Sequence, residues 1–203
     1  VAILSRAGRR PAASVFTSAR KNCSLKKLRR LIAVLALCSA AGIAEAQSPT
    51  EYQVKAAFLY NFAKFVEWPA RSFPAAGTPL TFCVVGEDPF GSDLEEITRG
   101  KTIDQRKLAT RRVKKGRERE CHILFVSPSE EARLGEILRD VKDASVLTVS
   151  DIAKFSRTGG IIGFIIEGNK IRFEINLDAA ERAGLKISSR LLKLAKIVRD
   201  GGQ

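Results

Sequence analysis

The chain has no methionine, one histidine, one tryptophan and two tyrosines among its 203 residues. Each scarcity removes something. A lone imidazole, His122, leaves few routes to catalysis, and the spacing of Cys83, Cys121 and His122 matches no zinc motif. No G-x-S-x-G occurs, so the sharp elbow that presents a hydrolase serine is missing. Residues Gly86–Gly91 follow a predicted strand and precede a predicted helix, the place where phosphate loops form. They lack the Lys-Ser/Thr of a nucleotide loop and the G-x-G-x-x-G of dinucleotide folds, and Glu87 and Asp88 would repel a phosphate. That segment therefore reads as a helix-starting turn, and His122 as a structural residue. No catalytic, metal-binding or cofactor-binding residue is assigned, and an enzyme is not the expected outcome.

Positive charge is abundant but misleading. The net charge of +13 includes nine of the 35 Lys/Arg and one of the 22 acids within residues 1–46, so residues 47–203 carry +5. Most of the excess lies in a segment that reads as an export signal, which argues against nucleic acid as a partner. Lys26, Lys27, Arg29 and Arg30 form a basic n-region, Leu31–Ala44 an apolar h-region, and Ala44-Glu45-Ala46 a peptidase site. Residues 1–46 are thus expected to be an N-terminal extension plus cleaved signal, and 47–203 the mature domain. With no methionine and Val at position 1, the basic, Ala/Ser/Arg-rich Val1–Cys23 reads as an over-extended start.

Of four cysteines, Cys23 and Cys38 precede the expected cleavage site. Cys38 is a poor lipidation site, because Leu37 stands where a small residue is needed. Cys83 and Cys121 remain, an even pair in an oxidising compartment, for which a disulfide is the natural expectation. Two buried free thiols in neighbouring strands are the alternative. No mature segment reads as a membrane span: the apolar opening helix carries Lys55, Asn61, Lys64 and Glu67.

What is present is an aromatic-rich first helix and alternating apolar runs. Ser48-Pro49-Thr50-Glu51 reads as a capping box, with the helix running to about Trp68, where Pro69 stops it. On a helical wheel Val54, Phe58, Leu59, Phe62, Phe65 and Val66 face inward. Tyr60, Asn61, Lys64 and Trp68 share the outer arc, where Tyr and Trp suit an interface. Lys55 falls on the apolar face. It either snorkels or points inward to a buried carboxylate, with Glu174 as the candidate for such a structural pair.

Strands are expected at Leu80–Val85, Lys107–Val113, His122–Val126 and Val146–Val149, and short helices at Pro89–Arg99 and Ser129–Asp140. Ile161–Ile166 and Lys170–Ile175 flank Glu167-Gly168-Asn169 as an antiparallel hairpin. Helices Asp178–Ala183 and Ser188–Val198 follow. Together these describe a single compact α/β domain. A mixed sheet of about six strands is flanked by helices, with a C-terminal hairpin followed by two helices. Six cations within Arg111–Arg119 fit either an anionic surface or partner, or a solvated turn that protects a sheet edge.

Three stretches together resemble the YfiR family of periplasmic regulators: Tyr52–Pro69 (YQVKAAFLYNFAKFVEWP), Phe82–Gly91 (FCVVGEDPFG), and Gly160–Ala195 with its FEINLDAAERAGLKISSRLLKLA. The resemblance implies a homodimeric α/β protein of the periplasm. It further implies a repressor that binds the sensor region of an inner-membrane diguanylate cyclase, and so controls cyclic di-GMP signalling and biofilm formation. Cys83 and Cys121 match one cysteine pair of that family. A second family pair has no counterpart, since Ser156–Phe164 contains no cysteine. The alternative function is a periplasmic small-ligand sensor or carrier with an aromatic-lined pocket.

Overall fold

Two largely apolar runs, Leu80–Val85 (β2) and Ile123–Val126 (β5), are buried at every residue and lie inside the sheet. Runs without alternation are what a strand covered on both faces requires. The computed structural model describes residues 48–200; the export signal, Cys23, Cys38 and the expected cleavage after Ala46 lie outside the described residues.

The remaining strands are β1 (Val66–Glu67), β3 (Thr102–Ile103), β4 (Arg106–Val113), β6 (Leu147–Ser150), β7 (Ile162–Glu167), β8 (Lys170–Asn176), β9 (Lys186–Ile187) and β10 (Lys196–Val198). Eight of the ten build one sheet in the order β10-β8-β7-β6-β5-β2-β4-β3. The run β4-β2-β5-β6-β7 is parallel, while β8 is antiparallel to β7, β3 is antiparallel to β4, and β10 is parallel to β8. The mixed α/β domain is as expected, with two short edge strands beyond the expected six. The hairpin turns through Gly168 and Asn169, at φ of 54° and 60°. These are the paired positive values that a two-residue turn between twisted strands requires.

Five helices flank the sheet: α1 (Glu51–Phe65), α2 (Asp93–Thr98), α3 (Leu134–Val141), α4 (Leu177–Arg182) and α5 (Ser189–Leu192). On one face, Ala56, Leu59, Phe62 and Ala63 of α1 pack over Phe82, Phe125, Phe164, Phe173 and their neighbours. The Phe62 ring lies 5.0 Å from that of Phe173, edge to face. Burying each such side chain contributes roughly 1.5–3 kcal/mol. On the opposite face, Leu134, Ile137 and Val141 of α3 cover Cys83, Val85, Leu124 and Val126. Cys83 and Cys121 are bridged there, with Cα atoms 5.9 Å apart and a sequence separation of 38. Closing that loop contributes roughly 3–4 kcal/mol by the chain-entropy argument.

Three boundaries differ from expectation. The cap of α1 is Thr50, whose hydroxyl accepts from the Gln53 N–H while the Gln53 side chain accepts from the Thr50 N–H; the box is shifted two residues from Ser48-Glu51. The same helix ends at Phe65, because Val66–Glu67 pairs antiparallel with Lys186–Ile187 and Ser188 N–H donates to the Phe65 carbonyl. The expected helix Ser188–Val198 also splits. After α5 the chain turns, and Lys196–Val198 takes the open edge of β8. Arg199 to Asp178, and Asp200 to Asn176 and Arg182, hold that strand in place.

Candidate functional site: the first helix and its surroundings

The outer face of α1 carries Asn61 and Lys64 in solvent and Tyr60 half-buried. Two ammonium groups lie over the Tyr60 ring, Lys64 Nζ at 5.4 Å and Lys101 Nζ at 4.6 Å from its centre. These cation–π contacts hold the ring in place. Tyr60, Asn61 and Lys64 therefore share a surface. Trp68 does not belong to the helix: it lies three residues past its end, half-buried, with Nε1 donating to the His122 carbonyl at 3.2 Å. The wheel had extended α1 across a segment that becomes β1, so Trp68 sits round a corner from the other three.

His122 is the floor under Trp68. Thr81 N–H donates to its Nδ1 at 3.2 Å, and Nε2 lies 3.0 Å from the Ser72 carbonyl. That pattern fits the neutral tautomer protonated at Nε2. Phe73 stacks on the ring at 4.5 Å. Burial pushes the imidazole pKa below its ordinary value, against the hydrogen bond to Ser72. Both nitrogens are committed, so this is a packed structural histidine.

Lys55 points into the domain, with 3% of its surface exposed. Its ammonium pairs with Glu51 Oε1 and Asp151 Oδ2, each at 2.5 Å, and lies 4.4 Å from the centre of the Tyr52 ring. Tyr52 Oη donates to the same Asp151 oxygen at 2.9 Å. Burial, then the Asp151 hydrogen bond and charge, push the Tyr52 phenol from 10.0 up to about 12. The expected partner Glu174 is wrong: it accepts from Ser156 Oγ at 2.7 Å and faces Arg157 and Lys196 at 3.6 and 3.7 Å. The reason is topological. Asp151 follows β6, whose C-terminal end lies beneath the first turn of α1, whereas Glu174 projects from β8 beside Ser156. An acid directly after a buried strand was the signal for Asp151.

Most cations of the basic segment are engaged within the domain. Arg112 pairs with Asp88 at 2.8 Å, Lys115 with Glu136 at 2.5 Å and Arg117 with Glu120 at 2.7 Å. Arg111 reaches the Glu120 side chain and carbonyl, and Arg119 donates to the Asp140 carbonyl. Hydrogen bonding from Arg117 lowers the Glu120 pKa, and that from Lys115 lowers the Glu136 pKa. Since β3 covers only the first two residues of β4, these cations line a free sheet edge, the protective arrangement.

The Gly86–Gly91 turn is held by its own contacts. Gly86 stands at φ +90°, where a Cβ would meet Ser129 Oγ at 2.4 Å. Glu87 N–H donates to that same oxygen, and Asp88 accepts from Phe90 N–H. Among the described residues, no group of three or more His, Cys, Asp or Glu is placed to hold a metal, and no helix is long and apolar enough to cross a membrane.

Residues 52–196 match the model of a family described as YfiR/HmsC-like. Among solved structures, a conserved domain protein from Vibrio cholerae O1 biovar El Tor is similar in fold, with a TM-score of 0.50 and 12% identity. The alignment covers 74% of this chain and 61% of that one, so the chain spans about three-fifths of that structure's length.

Proposed function

The chain belongs to the YfiR/HmsC-like family, and from that premise we propose that it is a periplasmic regulator that represses an inner-membrane diguanylate cyclase. It does so by binding the cyclase's sensor region as a homodimer, after export by the signal at residues 26–46. The observation that carries this reading is the family match, which spans nearly the whole described domain. The chemistry supports it from another side. The single histidine is neutral, buried and bonded at both nitrogens, which suits a binding protein better than an enzyme.

The proposed contact surface is the outer face of α1, with Tyr60 as anchor and Asn61 and Lys64 beside it. A half-buried tyrosine held between two ammonium groups presents a pre-organised ring, and ordering it again on binding costs little. Trp68, round the corner from these three, is anchored by its bond to His122 and is left out of the proposed surface. The test is Asn61→Arg with Lys64→Glu, two exposed positions whose change leaves the melting transition nearly unmoved. In cells, cyclic di-GMP should rise, and membrane pull-down of the cyclase should weaken. Normal repression by the folded double variant would remove this surface from the reading. Failure of the wild-type chain to co-purify any cyclase would remove the reading itself.

A further inference from the structure

A cleft of about 510 Å³ opens beside α3, the helix on the sheet face opposite α1. Its floor is Val146 and Thr148, at the start of β6, and Ile161, just before β7. Leu138 and Val141 of α3 form one wall, and Ala179 and Ala183 form the other. The space exists because small residues line it: no atom lies within 4 Å of a Cβ built at Gly159, and one built at Gly135 meets just Arg139 Nη1, at 3.5 Å. Its size falls within the range of roughly 300–1,000 Å³ typical of small-molecule sites.

The rim is cationic. Arg139, Lys142 and Arg182 face a single acid, Asp200. That acid is already engaged: it accepts from Asn176 and pairs with Arg182, and those bonds lower its pKa. Arg139 and Lys142 have no side-chain hydrogen bond or ion pair among the described residues, in contrast to most cations of the Arg111–Arg119 segment. The Arg139 guanidinium folds back over Gly135, which brings it to the lip of the apolar floor.

We propose that this cleft binds a small organic anion with an apolar body, a short-chain alkyl or aromatic carboxylate. The apolar end lies against Leu138, the half-buried apolar side chain of the wall, above Val146 and Ile161, and the carboxylate meets Arg139 and Lys142. A bare inorganic anion would leave Leu138 wetted, and a neutral apolar molecule would leave both cations without a counter-charge. Charge-assisted bonds to the carboxylate supply the affinity that discriminates among the three. This site is independent of the α1 surface and of the cyclase reading.

The probe is octanoate, titrated calorimetrically into the full mature chain with backbone amide shifts followed by NMR. Gly135→Leu fills the mouth at an exposed helical position where leucine is the better helix former; Arg139→Gln with Lys142→Gln removes the rim charge. Saturable binding is expected, with shifts at Gly135, Gly159 and Ala183. Affinity should fall at least about ten-fold in each variant, and octanol and phosphate should bind the wild type at least about ten-fold more weakly. The proposal is overturned by any of three results. These are no saturable octanoate binding to folded protein, unchanged affinity in either variant, or phosphate or octanol binding as tightly as octanoate.

Discussion

Lys55 and Glu118 are equally hidden and opposite in circumstance. Lys55 lies under α1 at 3% exposure, and Glu118 lies in the short turn Glu118–Glu120 beside α3 at 1%. Lys55 has two carboxylates at 2.5 Å and an aromatic ring over it. Glu118 has no ion pair among the described residues, and its Oε1 is sealed from solvent without a hydrogen-bond partner. Burial alone therefore says little about what a charge does for the fold. What matters is whether its desolvation is repaid by partners: the Lys55 ammonium is paired twice, even though Asp151 Oδ1 beside it is buried without a hydrogen-bond partner, whereas Glu118 has no ion pair among the described residues.

The sharpest way to break this comparison is to remove Asp151. Asp151→Ala leaves the buried ammonium with Glu51, which is half in solvent, and should cost about 3 kcal/mol in urea unfolding. Adding Lys55→Met to that variant should recover part of the loss, because the orphaned charge goes with it. Fully additive losses would mean that the pair is not coupled and the contrast with Glu118 is empty.

Glu118 should respond with the opposite sign. Glu118→Met keeps the length of the side chain while removing the unpaired carboxylate, and a gain of about 1–2 kcal/mol is expected from the same unfolding experiment. A loss of similar size would show that the carboxylate is satisfied in solution and that both buried charges are equally well paired.

The smallest effect sharpens the Lys55 side through pH. The Tyr52 phenol stands at about 12 in the folded chain against 10.0 for the free group. A folded-state value raised in this way gives stability that is complete below about pH 10 and lost as pH rises through about 12. Tyr52→Phe should flatten that alkaline limb of the denaturation midpoint, and at neutral pH it should cost about 1 kcal/mol for the lost hydrogen bond to Asp151. An identical limb in the variant would assign the loss to other groups.

How much of this was legible in the sequence depended on distance along the chain. The buried strands β2 and β5, the hairpin turn at Gly168-Asn169 and the Cys83–Cys121 bridge follow from local pattern or compartment, and all are present. The inward direction of Lys55 was also readable, since a wheel needs just one helix. Its partner was not: Asp151 lies 96 residues away, and nothing local says which strand end will lie beneath α1. The same limit applies to Val66–Glu67 and Lys196–Val198, whose side chains suit a helix. Their backbones are claimed by β9 and by the edge of β8, a tertiary demand that overrides propensity. Trp68 was misplaced as a direct result. The excess of cations near Arg111 was visible, but their neutralisation by Asp88, Glu120 and Glu136 needed the folded chain.

The late strand β10 has a consequence for how the polypeptide behaves when it is cut or left unfinished. Three residues, Lys196–Val198, followed by Arg199, are all that stand between the exposed backbone of β8 and a neighbouring molecule. Any protease that nicks the Lys193–Ala195 turn frees this selvedge, whose remaining hold is the pairing of Arg199 and Asp200 with Asp178, Arg182 and Asn176. A chain that loses it presents the donors and acceptors of β8 to solvent, with Leu194 already exposed nearby. Such an edge recruits strands from other copies, so β10 acts as a guard on that edge, in addition to completing the sheet.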